Sequence, residues 1–108
     1  MTLVNCTPHS VSIQTFSDLL VVTASGMVAR CTADTILVGE LETVWGRVPL
    51  TQTEIGPVFD LPAPVEGTVF IVSRMVKDRA PDRKDLAVVG ALTRDASGRV
   101  IGCFGLEM

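Results

Sequence analysis

The apolar runs of this chain are short and are separated by dense turn punctuation, a pattern that favours strands over long helices. Val11-Ser12-Ile13-Gln14 alternates in the manner of a half-buried strand, and Leu19 to Val22 is an apolar run bounded by Ser17-Asp18 and Ala24-Ser25-Gly26. With Ser25-Gly26 as a turn, residues 10–15, 19–23 and 27–32 are expected to form a β-meander. Thr35 to Val38 is β-branched and apolar and ends at Gly39-Glu40. Residues 41–54 are expected to hold one or two strands, with Pro49 on an edge or at a bulge because it cannot donate to a central ladder.

Residues 56–64 are expected as a loop, since Pro57, Pro62 and Pro64 hold the chain extended. Thr68 to Val72 is a continuous, mostly β-branched run and the best candidate for the most buried strand. Ser73 to Ala80 fits a short helix with Ser73 as its N-cap and Pro81 ending it. Leu86 to Leu92 and Arg99 to Leu106 flank Asp95-Ala96-Ser97-Gly98, the clearest hairpin signal in the chain. The sum is a mainly β (α+β) fold. A twisted antiparallel sheet or partly closed small barrel is expected, with one short helix near 73–80 and residues 1–108 as a single domain.

Composition excludes several classes. Hydrophobic residues make up 47% of the 108, far too many for a disordered chain. A net charge of -3, from 9 basic and 12 acidic side chains, argues against general nucleic-acid binding. Arg74, Lys77, Arg79, Arg83 and Lys84 form a local basic run, read here as a solvated helix face and loop. The first residues lack the basic start and apolar core of a signal peptide, and no stretch approaches the ~18 apolar residues of a membrane helix. Cys6, Cys31 and Cys103 are odd in number and widely spaced, which fits reduced thiols in a cytoplasmic protein better than a disulfide frame. With a single histidine and no cysteine pair, neither a metal site nor a cofactor is nominated.

Two polar clusters are candidates for function. Asn5-Cys6-Thr7-Pro8-His9 precedes the first alternating strand. Asn5 and Thr7 are residues that bond their own backbone in turns, and Pro8 fixes φ, so the segment can be a shaped loop presenting His9. Histidine is the side chain whose unperturbed pKa lies near neutrality, so His9 is the natural candidate for acid–base work or anion binding. The competing reading, the stronger one on residues alone, is a turn whose histidine caps a strand end. The second cluster is Pro81-Asp82-Arg83-Lys84-Asp85-Leu86, where an Arg83–Asp85 pair can hold a guanidinium ready for phosphate or carboxylate, against the alternative of an ordinary surface ion pair. Arg47 and Arg94 can supply further guanidinium groups, Ser73 a polar anchor at a helix N-terminus, and Trp45 or Phe59 a flat stacking face. No catalytic residue is nominated: a Cys6/His9 pair in one loop is weak evidence for a nucleophile, and no phosphate loop or nucleophile elbow occurs.

The order of motifs resembles a family of small phage, prophage and bacterial proteins that open with Asn-x-Thr-Pro-His. Here the sequence runs from Asn5-Cys6-Thr7-Pro8-His9 through Gly46-Arg47-Val48-Pro49 and Gly67-Thr68-x-x-Ile71-Val72-Ser73 to Pro81-Asp82-Arg83-x-Asp85-Leu86. It closes on Gly98-Arg99-Val100-Ile101-Gly102-Cys103. Where relatives often carry a tyrosine in the Gly-Thr-x-Tyr strand, this chain has Phe70. The resemblance implies a phage setting and, if phage-encoded, the host cytoplasm. It also implies a small binder, one that sequesters a cyclic or ADP-ribose-like nucleotide signal. The alternatives are a protein–protein interaction module, such as a phage inhibitor or assembly subunit, and a nucleotide-acting hydrolase or lyase using His9. A homo-oligomer suits either kind of binder. An exposed Trp45 or Phe59 beside an edge strand, with no enclosed polar pocket, would favour the interaction module.

Overall fold

In the computed structural model, which describes all 108 residues, β1 (Thr2–Asn5), β2 (Val11–Gln14) and β3 (Leu19–Val22) are followed by two long strands, β4 (Arg30–Thr43) and β5 (Gly46–Phe59). Then come β6 (Thr68–Ile71), the helix α1 (Arg74–Arg79), β7 (Leu86–Arg94) and β8 (Val100–Glu107). The fold is mostly β, with the one short helix where Ser73 and Pro81 place it. Ser73 Oγ accepts from the Val76 amide at 3.3 Å and satisfies an orphan donor of the first turn. Lys77 and Arg79 sit in the last turn, where the helix dipole favours cations.

Six strands form one nearly closed, barrel-like sheet in the order β1-β6-β7-β8-β2-β3. The sheet is mixed: β2–β3 and β7–β8 pair antiparallel, while β1–β6, β6–β7 and β2–β8 pair parallel. Local hairpin signals reveal only the antiparallel pairs. The parallel ones need crossovers, and β6-α1-β7 is such a unit. The order closes from β3 back to β1, where Ala24 bridges Asn5 and the Ser25 amide donates to the Asn5 carbonyl at 2.9 Å.

Strand β6 is buried on both faces, which is why its sequence is continuously apolar instead of alternating. Phe70 and Val72 join Leu86, Val88, Cys6, Ala29 and Val76 in a cluster covered by α1 and by Cys31 and Val58. Ile71, facing the other way, packs with Ile13 and Cys103 inside the barrel, against Leu3, Val89 and Leu106. Gly90 marks a close backbone approach between β7 and β8, since a Cβ there would lie 2.3 Å from the Phe104 carbonyl oxygen.

The meander expected over 10–32 forms only as far as the β2–β3 hairpin. Residues 30–32 instead begin β4, which pairs with β5 along its whole length as a separate two-stranded antiparallel ribbon. Residues 56–59, expected as loop, are the end of β5. Pro57 falls at a register irregularity and Pro49 on a ribbon with no inner strand, so neither removes a bond that a central ladder would need. The ribbon tip is Val44-Trp45, where the turn's positive φ is taken up by Gly46 (127°). Thr43 Oγ1 braces the tip, donating to the Gly46 carbonyl at 2.7 Å and accepting from the Trp45 amide at 3.1 Å.

The ribbon projects from the barrel. The radius of gyration is 17.9 Å, against ~13 Å for a compact domain of this length. No helix is long and apolar enough to cross a membrane.

Candidate functional site

Asn5 is the centre of the first polar cluster, and its side chain is fully used. Its Nδ2 donates to the His9 carbonyl (2.8 Å) and the Val22 carbonyl (3.0 Å), while Oδ1 accepts from the Thr7 amide (2.9 Å) and Thr7 Oγ1 (2.6 Å). The residue is 1% exposed. Four hydrogen bonds from one buried amide shape the loop and lash it to β3. Thr7, Pro8 and His9 therefore serve the loop's backbone path, with His9 contributing its carbonyl while the residue itself lies exposed. Cys6 is buried behind the loop, and that burial raises its thiol pKa, the opposite of what a nucleophile needs.

The second cluster forms the pair that its spacing suggests. Arg83 Nε and Nη2 donate to the two carboxylate oxygens of Asp85, each at 2.8 Å, and the guanidinium lies over the Phe70 ring at 5.9 Å from its centroid. Both side chains are 19% exposed, so this is a half-buried fork and not a loose surface pair. The hydrogen bonds from Arg83 hold the Asp85 carboxyl below its ordinary range, and Asp85 in turn raises the Arg83 pKa. The pair lines an open cleft of about 380 Å³ with Asp82, Lys84, Gly67 and Thr68.

The two clusters lie at opposite ends of β6. Asn5 is in register with Ile71, at the end of that strand, whereas the Arg83–Asp85 cleft opens at its start, by Gly67 and Thr68. The other candidates are elsewhere. Arg47 stands near the ribbon tip, 3.7 Å from Glu40 and from Glu42. Arg94 caps the β7–β8 turn by donating to the Gly98 carbonyl at 2.9 Å. Ser73 is committed to the α1 cap. Within one chain, then, only Arg83 and Asp85 are brought together, along with the Asn5–His9 loop as a unit. The basic run is likewise divided, with Arg74 paired to Glu107 and Arg83 to Asp85.

The feature that residue-by-residue reasoning missed is a face of the ribbon. β4 pairs with β5 as Ile36↔Gln52 and Leu37↔Thr51, then Gly39↔Leu50 and Leu41↔Val48, so Val38 is one extra residue, a β-bulge. Side chains alternate along a strand, and paired residues share a face. The extra residue therefore puts Leu41 on the face of Ile36, not on that of Leu37. One face then carries Ile36, Leu41, Val48 and Leu50 beside Gln52, and the reverse carries Glu40, Glu42, Arg47, Thr51 and Thr53 beside Leu37 and Pro49. All four apolar residues are exposed, and Trp45 at the tip is 93% exposed. The signal was in the sequence, but a period-2 count runs out of phase at Val38 and hides it.

The chain matches no family model, no curated protein and no solved structure.

Proposed function

We propose that this chain is a protein–protein interaction module of the assembly-subunit kind, and that the β4–β5 ribbon is its docking arm. The observation that carries this reading is the amphipathic ribbon: Ile36, Leu41, Val48 and Leu50 on one exposed face, with Trp45 at the tip. A lone two-stranded hairpin is marginal in water, and an exposed apolar face on unpaired edges is an aggregation hazard unless a partner covers it. Tryptophan at the end of such an arm is a residue type that dominates binding energy at interfaces. The concavities of the surface are open clefts, which suits a surface-acting protein better than one that encloses a ligand.

A photo-activatable phenylalanine analogue placed at Trp45 or at Leu41, in cells expressing the chain, tests the reading. Protein adducts are expected from both positions and not from Ser97 in the β7–β8 turn. Irradiation that yields no protein adduct from either ribbon position overturns it.

A second reading, binding of a small anionic, nucleotide-like ligand, is favoured by the Arg83 cleft alone. Its volume falls within the range of small-molecule sites, and Nη1 of the guanidinium is not used by Asp85. Calorimetry with cyclic and ADP-ribose-type nucleotides tests it, and absence of heat at protein well above micromolar removes it.

A further inference from the structure

The occupant of the ribbon's apolar face can be argued from area and pattern. A compact monomer of 11.5 kDa exposes ~5,800 Å², whereas this chain exposes 7621 Å². The excess is ~1,800 Å² per copy; shared between the two faces of the arm it gives each about half, close to the ~800 Å² that each partner contributes to a standard interface. We propose that the apolar face docks on the same face of a second copy, the two ribbons lying antiparallel across a two-fold axis at the Gly39–Leu50 level. This rests on the docking-arm reading and names its partner.

The face has the self-complementarity that a two-fold contact requires. From base to tip its levels are Asp34–Glu54, Ile36–Gln52, Gly39–Leu50, Leu41–Val48 and Thr43–Gly46. An axis through the middle level sets Ile36 of each copy on Leu41 and Val48 of the other. Both Leu50 side chains meet at the axis, each beside the other copy's Gly39, where a Cβ would find no atom of its own chain within 4 Å. The same alignment places Asp34 and Glu54 opposite the uncharged Thr43 and Gly46. A parallel alignment would instead bring four carboxylates together, which like-charge repulsion disfavours. The reverse face, with Glu40, Glu42 and Arg47, stays in water. Two ribbons stacked face to face make a small sandwich with the usual ~10 Å sheet spacing, so each arm gains the covering layer that a lone hairpin lacks.

Light scattering on the purified full chain is expected to give a mass of twice 11.5 kDa at ~100 µM. In a Cys31→Ser background, Leu50→Cys is expected to form a disulfide-linked dimer under mild oxidation. Thr51→Cys, its neighbour on the opposite face, is expected not to. Leu41→Glu should weaken association by ~100-fold or more with the circular dichroism spectrum unchanged, and Leu37→Glu should leave the dimer intact. A monomeric wild-type protein, equal cross-linking from Leu50→Cys and Thr51→Cys, or a dimer indifferent to Leu41→Glu would each overturn the pairing. A monomer whose ribbon still gives photo-adducts to another protein sinks this pairing but keeps the docking arm. No adduct from the ribbon sinks both.

Discussion

The side-chain amide of Asn5 donates to the carbonyl of Val22 at 3.0 Å, and that bond ties together the two strands at the ends of the six-stranded order. The same amide organises the loop that follows β1. A single buried residue thus does two jobs, one local and one long-range.

Asn5→Ala is expected to cost ~3 kcal/mol, because it removes all four hydrogen bonds made by a buried side-chain amide and leaves a void in its place. The melting temperature should fall by ~10 °C or more. Asn5→Asp should be no better, since a carboxylate would face two carbonyls that now accept from an amide. His9→Ala, at an exposed site, should change stability by less than ~0.5 kcal/mol. Calorimetric melting of the three variants checks the ranking.

Stability should fall on acidification through Asp85. Its folded pKa lies below the unfolded value of ~3.9, so the unfolded chain takes up the proton first as pH drops. The contribution is complete above that value and is lost as pH falls through the folded pKa. Asp85→Asn should flatten this part of the profile and cost ~2 kcal/mol at neutral pH. Urea unfolding at a series of pH values reads both effects.

Arg30 and Phe59 face each other across the ribbon base, so the arm can be cut without parting the barrel strands. Replacing residues 33–56 by a short turn is expected to leave the Ile71 and Val76 surroundings unchanged. Methyl NMR shifts of those residues measure this, and a collapse of their dispersion would show that the barrel depends on the arm.

Gly90→Ala should destabilise by ~1–3 kcal/mol, since a methyl group there must displace backbone of β8 and not a flexible side chain. Denaturant midpoints with an unchanged slope are the expected outcome.

Much of the barrel was legible because its signals are local. Val69 to Val72 is apolar throughout for the reason that Phe70 and Ile71 are buried on opposite faces, and Ser73 with Pro81 brackets the helix by capping chemistry. The β7–β8 hairpin declares itself in Asp95 and Gly98, whose amide and side-chain bonds close the turn. The parallel pairings were not legible, since Asn5 meets Ile71 through a contact that no local pattern encodes. The ribbon was obscured by its own irregularities: Pro57 read as loop, yet a two-stranded ribbon has only edges, where proline costs little, as expected of Pro49. Of the candidate site residues, Asn5 and Thr7 carried a recognisable turn signature, and Arg83 with Asp85 a recognisable spacing. Arg47 and Arg94 are drawn instead into local bonds that residue type alone does not foretell, while Ser73 is held by the cap its position foretold.

The extra residue at Val38 also limits how the arm can change over generations. A one-residue deletion there would leave Leu37 opposite Thr51 and Gly39 opposite Leu50 as a regular ladder, with Leu41 still on the face of Ile36. An insertion or loss between Gly39 and Leu41 would instead move Leu41 to the face of Leu37 and mix charge with hydrocarbon. Frameshift-free lengthening of this segment should therefore accumulate in paired steps on the two strands, and a lineage that drops Val38 should be found to have kept its leucines in place.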